Sequence, residues 1–557
     1  MAKKQEIADL LLKENLITQE QLDQATIETR RTGLSIIKAL EKLKFISEES
    51  IAEVRAKALG VPYMDLGEYV IDSELTKLIP EKLAKKYKMV PLFKVGTSLT
   101  VAMFNPQDIV ALDQARKMSQ MDAIDPVVAS ETGIQKILDI YYGGSSTVDE
   151  IVDSIDTERI SVKDDKDLAE IAEEAPVVKL VSLIISKAVK ERASDIHIEP
   201  EAKTLLVRNR VDGVLRESHN LPKALNRALT SRIKILANLD IAENRRPQDG
   251  KIRLKIENRD IDIRVSTFPT VHGENVVMRI LDKSSVVLGL KDLGLSNESL
   301  EALNKLIHRP NGIILVTGPT GSGKTTTLYA ALTTINSIDK NIITIEDPVE
   351  YELPLIRQTQ VNSKIGVTFA EGLRAILRQD PDVIMVGEIR DKETAEIAIR
   401  ASLTGHLVLS TLHTNDAVSS LTRLVDMGVE PFLVSSSVIG VIAQRLVRVI
   451  CDKCKEEYKP SESILKDLGV KIKNLFYRGK GCKKCDNTGF MGRTGIYEFF
   501  TINDEIRNMV NEKQSADKIL ERAVASGWIK TLSEDGLEKV SQGITTAEEV
   551  LKVTKVK

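Results

Sequence analysis

The sequence predicts an α/β protein of several domains: a core of parallel strands and crossover helices, an α+β lobe before it, a cysteine-bearing insert within it and a mostly helical N-terminal region. Three observations predict this. A chain of 557 residues exceeds what one hydrophobic core can serve. From about Leu288 onward apolar strands alternate with helical segments, as a parallel sheet with crossover connections demands. The run Ile313-Ile-Leu-Val-Thr-Gly-Pro-Thr-Gly-Ser-Gly-Lys-Thr-Thr326 is an apolar strand entering Gly-x-x-x-x-Gly-Lys-Thr, the pattern of a phosphate-binding loop.

Residues 1–60 contain an internal echo, because Ile7 to Thr18 resembles Ile36 to Ser47. Each copy is an amphipathic helix and a turn, and Thr18 and Ser47 are placed as N-caps of a second helix. Residues 61–142 form an α+β segment, with Met89 to Phe93 and Leu99 to Met103 as strands and helices near Asp113 and Ile134. Residues 143–174, with Gly143, Gly144 and acidic Asp149, Asp164, Asp165, Asp167, Glu173 and Glu174, are expected to be a flexible linker. Residues 175–282 are an α+β lobe: Val177 to Ala188 has helical periodicity, and the segments at Asp195, Leu205, Lys251 and Asp260 alternate as half-buried strands. The core occupies 288–557, with its cysteine insert at 451–485.

Chemistry concentrates in that core. Glycines let the backbone wrap around phosphate, so the amides of Gly318, Pro319, Thr320, Gly321, Ser322, Gly323, Lys324, Thr325 and Thr326 form the expected nucleotide-binding loop; Pro319 contributes no N–H. Lys324 would neutralise the β- and γ-phosphates and Thr325 would hold Mg²⁺. A glycine-rich turn that binds nothing is the bland alternative, and the strand–loop–helix setting opposes it. The next strand, Asn341 to Ile345, ends in Glu346, Asp347 and Glu350, and a third, Val383 to Val386, ends at Glu388. Ligands of open parallel sheets lie beyond the carboxyl ends of strands, so these carboxylates are candidates for magnesium, direct or through water, and Glu346 and Glu388 for activating water. A fourth strand, Leu407 to Thr411, is bracketed by His406 and His413; its position beside the nucleotide makes both catalytic candidates. Cys451-x-x-Cys454 and Cys482-x-x-Cys485 have the spacing of a closed tetrahedral zinc site of structural type.

Four ordered blocks carry a family resemblance over about residues 170–557. They are Gly318 to Thr326, Ile343 to Tyr351, Leu377 to Asp391 and Thr404 to Asn415, similar in turn to the phosphate loop, aspartate box, variant Walker B and histidine box of the bacterial type II and type IV secretion ATPases. The resemblance is closest to the pilus assembly and type II secretion branch. It implies a RecA-like core, a homo-hexamer hydrolysing ATP with Mg²⁺ to power pilin or pseudopilin assembly, and a cytoplasmic location held to the inner membrane through a platform protein. It also implies that arginines of the preceding lobe, matching Arg264 and Arg279, reach the γ-phosphate. The tetracysteine insert and long N-terminal region favour assembly over the alternative, a retraction ATPase. The N-terminal repeat resembles a domain that binds cyclic di-GMP. Gln5-Glu-Ile7 and Lys44 depart from its pattern, so docking to the platform is the leading expectation for this fold and cyclic di-GMP binding the alternative.

Other classes are disfavoured. A formal net charge of -3 and 4% aromatic residues supply neither the basic field nor the stacking platforms of a nucleic-acid motor, the main alternative. No Asn-Lys-x-Asp motif follows the core, which points to ATP rather than GTP. A module that holds nucleotide without turnover is opposed by Lys324 and the paired carboxylates. No apolar stretch is long enough for a transmembrane segment.

Overall fold

The computed structural model describes residues 2–67, 69–142, 148–155, 165–256, 258–282, 288–468 and 476–554. They fall into two compact units, Met1–Ser284 and Ser285–Lys557.

The first unit opens with the helices Ala2–Lys13, Gln19–Thr32, Ile36–Lys42 and Glu48–Leu59, which close over Leu11, Ile17, Leu40, Ile51 and Val54. The echo is structural. The Thr18 hydroxyl accepts the Gln21 N–H at 3.3 Å and Gln21 returns the bond to the Thr18 N–H at 2.9 Å, while Ser47 accepts the Ser50 N–H at 3.1 Å. Asn15 and Lys44 occupy equivalent left-handed turn positions, with φ of 56° and 57°. Next come Met89–Val95, Ser98–Met103 and Ala123–Val128, a three-stranded sheet covered by Ile109–Ser119 and Glu131–Tyr142 around Met89, Val101 and Leu138.

A seven-stranded sheet follows, antiparallel except at one edge, where Tyr69–Val70 pairs in parallel with Gln248–Ile256. Helices Ala175–Lys190 and Leu225–Leu236 supply Leu180, Ile184, Leu229 and Ile233 to its core. The expected linker differs from the structure. Val148–Ser154 and Asp165–Glu173 are helices, and Ile151, Ile155 and Ile171 are buried in the same core. Apolar residues recur there at helical spacing, and Asp153, Glu170 and Glu173 between them are exposed. Residues 143–147 and 156–164 of that stretch lie outside the described residues.

In the second unit eight strands are ordered Arg357–Gln360, Ile342–Glu346, Val383–Val386, Leu407–Leu412, Gly312–Thr317, Val438–Ile450, Phe490–Thr501 and Ile529–Lys530. The first six run parallel and the last two pairings are antiparallel. All six residues of Gly312–Thr317 are buried, which suits a central parallel strand covered on both faces. Among the described residues no helix is long and apolar enough to cross a membrane.

Candidate functional site

The phosphate loop leaves the carboxyl end of Gly312–Thr317 and enters the helix Lys324–Ile335. Its glycines are required by backbone and by space. Gly318 and Gly323 have φ of 149° and 88°, and a Cβ on Gly318 would lie 2.5 Å from the Gln444 carbonyl. The Lys324 ammonium curls over the loop, donating to the carbonyls of Gly318 at 2.8 Å and Pro319 at 3.2 Å. Burial lowers its pKa, the Glu388 carboxylate opposes that shift, and the Arg445 guanidinium reinforces it. The Ser322 hydroxyl is buried with no partner, so an oxyanion held by this loop would meet a ready donor. Thr325 is exposed at the start of the helix, as a metal ligand must be.

The carboxylates divide. Glu346 is only 3% exposed, and both of its oxygens are engaged: Oε1 accepts from Thr344 Oγ1 at 2.6 Å and Gln358 Nε2 at 3.1 Å, and Oε2 accepts from the Tyr329 hydroxyl. Burial raises the Tyr329 pKa, and the Glu346 carboxylate beside it adds to that shift. Glu346 is thus built into the sheet. Glu350 stands four residues on, half-buried, with its N–H on the Tyr329 hydroxyl at 3.4 Å. Asp347 is exposed. Glu388 pairs with Arg390, and its Oε2 lies 3.3 Å from His413 Nε2. The strand Leu407–Leu412 lies between the phosphate strand and Val383–Val386, which brings His413 and Glu388 to the same edge.

His406 is corrected by this topology. It precedes the strand's first residue, at the amino end, where its carbonyl accepts the Gly312 N–H at 3.3 Å and its Nδ1 is 2.8 Å from the Ala401 carbonyl. Strand rise places it roughly 20 Å from the phosphate edge. Within one chain the structure brings His413 to the site and leaves His406 at the opposite edge. Arg264 and Arg279 belong to the first unit, where they face each other as a cross-strand pair; Arg279 also donates to Asp195 at 3.1 Å.

Sequence reasoning missed the polar pair under the loop. In Val438–Ile450, Gln444 accepts from Thr327 Oγ1 at 2.7 Å, and Arg445 donates to the carbonyls of Gln444 at 3.1 Å and Asn415 at 2.8 Å. The available signal was a Gln-Arg pair, with Arg448 three residues on, inside a strand apolar elsewhere.

The four cysteines converge. Their sulfurs all lie within 4.8 Å of one another, with Cys451–Cys482 and Cys454–Cys485 at 3.8 Å and Cys482–Cys485 at 3.7 Å. A tetrahedron of sulfurs around zinc at about 2.3 Å has edges of roughly 3.8 Å, so this donor set fits zinc. The N–H groups of Cys482 and Gly489 point at Cys485 Sγ at 3.2 and 3.3 Å, the contacts a thiolate ligand needs.

A parallel sheet with a phosphate loop, a carboxylate and a histidine at its carboxyl edge defines a phosphate-loop ATPase. Comparison with known proteins narrows the class. The family profile described as Type II/IV secretion system protein matches residues 170–552, and the MshEN domain profile matches 59–148. The chain belongs to the Type II/IV secretion system protein family. It is 44% identical to the type IV pilus assembly ATPase PilB of Myxococcus xanthus over 98% of both chains. It is 54% identical to the type II secretion system protein E of Pseudomonas aeruginosa over 71% of this chain and 78% of that one. The X-ray structure of the Yersinia pseudotuberculosis ATPase DotB, at 22% identity and a TM-score of 0.53 over 68% of this chain and 94% of that one, shares the fold.

Proposed function

We propose that this chain is a hexameric motor that hydrolyses ATP with Mg²⁺ to drive pilin or pseudopilin assembly at the inner membrane, docked there on a platform protein. The observation that carries the reading is the phosphate loop, Lys324 to Thr325 included, facing Glu388 and His413 at one sheet edge. Lys324 and the loop amides bind the phosphates, and Thr325 holds the metal. Glu388 would orient water beside the magnesium that Thr325 would hold; Glu350, on the loop that Glu346 anchors, would be the second carboxylate available for activating the attacking water, and Asp347 lies between Glu346 and Glu350 in sequence. Glu346 acts as a brace because its oxygens are already taken. His413 holds Glu388 and responds to the γ-phosphate. Arg264 and Arg279 deliver positive charge when the lobe closes on the nucleotide, which couples hydrolysis to motion. The names of the relatives support the assembly role, in pili or in type II secretion, and the tetracysteine insert supports assembly over retraction. Zinc bound by Cys451, Cys454, Cys482 and Cys485 is structural. The MshEN match, at residues 59–148, supports kinship of that segment with cyclic di-GMP readers; the departures at Gln5 to Ile7 and Lys44 lie in the helical repeat before it.

The test is magnesium-dependent phosphate release by the full chain, alone and with a platform protein, beside Lys324→Ala. Turnover in the wild type that is lost in the variant supports the reading. Tight nucleotide binding without turnover under both conditions refutes it.

A further inference from the structure

The strand Leu407–Leu412 runs on through His413 into the loop Thr414–Ala417, and this loop is gripped from three directions. The Thr414 N–H donates to Thr317 Oγ1 at 2.9 Å, which ties it to the phosphate strand. The Asn415 carbonyl accepts from Arg445 Nη2 at 2.8 Å. The Ala417 N–H donates to Glu498 Oε1 at 2.8 Å. Arg445 and Glu498 are 5% and 4% exposed and stand on adjacent antiparallel strands, where Ala443 pairs with Glu498. Two ionisable side chains buried in a sheet are costly, and the structure gives each a backbone group of the same short loop to hold. Arg445 also touches the phosphate loop, since a Cβ on Gly318 would lie 3.1 Å from its Nη1.

We infer that Arg445 and Glu498 are positioning residues that clamp the Asn415–Ala417 backbone and thereby hold His413 against Glu388 beside the phosphate loop. This rests on reading that loop as the ATP site. The clamp acts through backbone groups, so it sets where His413 stands without touching nucleotide. The groups facing Glu498 fit the role: burial and Asp416 push its carboxyl up, while the N–H groups of Ala417 and Leu532 and the Arg445 guanidinium favour its charged form. Burial lowers the Arg445 pKa, and Glu498 and Asp416 oppose that shift.

The test uses the full chain with Glu498→Ala, Glu498→Gln, Arg445→Met and the Arg445→Met/Glu498→Gln pair, measuring kcat, affinity for a fluorescent nucleotide, and amide exchange across residues 413–417. Glu498→Ala is expected to lower kcat about 10-fold or more with nucleotide affinity within about twofold, and to speed exchange at Ala417. Glu498→Gln is expected to recover most of the activity, because its Oε1 still accepts the Ala417 N–H. Losses in the pair are expected to be less than additive, as for two residues holding one loop. Unchanged kcat in Glu498→Ala, a parallel fall in nucleotide affinity, or Glu498→Gln as inactive as Glu498→Ala would overturn the clamp. If the wild type fails to turn over ATP, the ATPase reading falls and exchange alone decides the clamp: unchanged protection at Ala417 in Glu498→Ala overturns it. Where Glu498→Ala does not fold, the isosteric Glu498→Gln and Arg445→Met carry the comparison, and wild-type kcat in Arg445→Met overturns the clamp.

Discussion

Deleting one oxygen distinguishes a brace from a catalyst. In Tyr329→Phe the ring stays packed edge-on against Tyr351, with centroids 4.6 Å apart, and only the hydroxyl that donates to Glu346 and touches the Glu350 N–H is lost. A hydrogen bond to a charged, buried group contributes about 1.5–3 kcal/mol, so a loss of about 2 kcal/mol is expected. For a unit of this size that corresponds to a fall of about 4–8 °C in Tm. Because the hydroxyl also steadies the strand end that carries Glu350, kcat should fall several-fold with KM unchanged. Glu388→Gln, on a partly exposed carboxylate, should move Tm by no more than about 1 °C and lower kcat at least 100-fold. Differential scanning calorimetry and phosphate release make the comparison. An unchanged Tm in Tyr329→Phe would refute the brace, as would a Glu346→Gln variant with native Tm and the same loss of turnover as Glu388→Gln.

His413→Ala should lower kcat about 10-fold or more while His406→Ala leaves it unchanged, because only His413 stands at the phosphate edge; steady-state assays showing the reverse would restore His406. Cys482→Ser should drop bound zinc well below one per chain by elemental analysis and lower Tm by several degrees, since the metal closes a site that four separate sulfurs cannot hold together. Glu498 carries a pH signature. Burial, with Asp416 adding to it, pushes its carboxyl up to about 7 from 4.5, so the folded state holds a proton that the unfolded chain releases above about 4.5. Stability from this group is present below that pH and is lost as pH rises through 7, by about 3 kcal/mol in all. Thermal melts from pH 5 to 8 should show this loss in the wild type and a flatter profile in Glu498→Gln.

The phosphate loop and the cysteines were legible because each is a local pattern whose geometry is nearly dictated by spacing. Glycines at 318 and 323 had to be glycines, and the two Cys-x-x-Cys turns had to bring their sulfurs together. Strand ends were legible only in part. Both histidines flank one strand in sequence; the carboxyl-end rule applied to the carboxylates already favours His413, and the parallel sheet puts His406 at the other end. Glu346 looked catalytic from its place at a strand terminus; its neighbours Tyr329 and Gln358 come from distant segments, and burial by them turns it inward. Charge hid structure in the expected linker, where Ile151 and Ile171 keep a helical face among acids. Arg445 left only a faint signal, since cations at 445 and 448 in an apolar run give no hint of which acceptor each meets.

The strand Val438–Ile450 passes under the phosphate loop at Gln444 and runs directly into Cys451. A slip of one residue before Gln444 would swap the faces of Gln444 and Arg445, and Cys451, the first of the four convergent cysteines, follows its far end. Between these two points a change of length must be absorbed in a bulge such as the register shift already present between Arg448 and Ile450. The turn at residues 459–461, where Lys459 and Ser461 are exposed between the strand Lys455–Tyr458 and the helix Glu462–Leu468, can lengthen at little cost. Natural variation in chain length should accumulate in that turn more than along the strand.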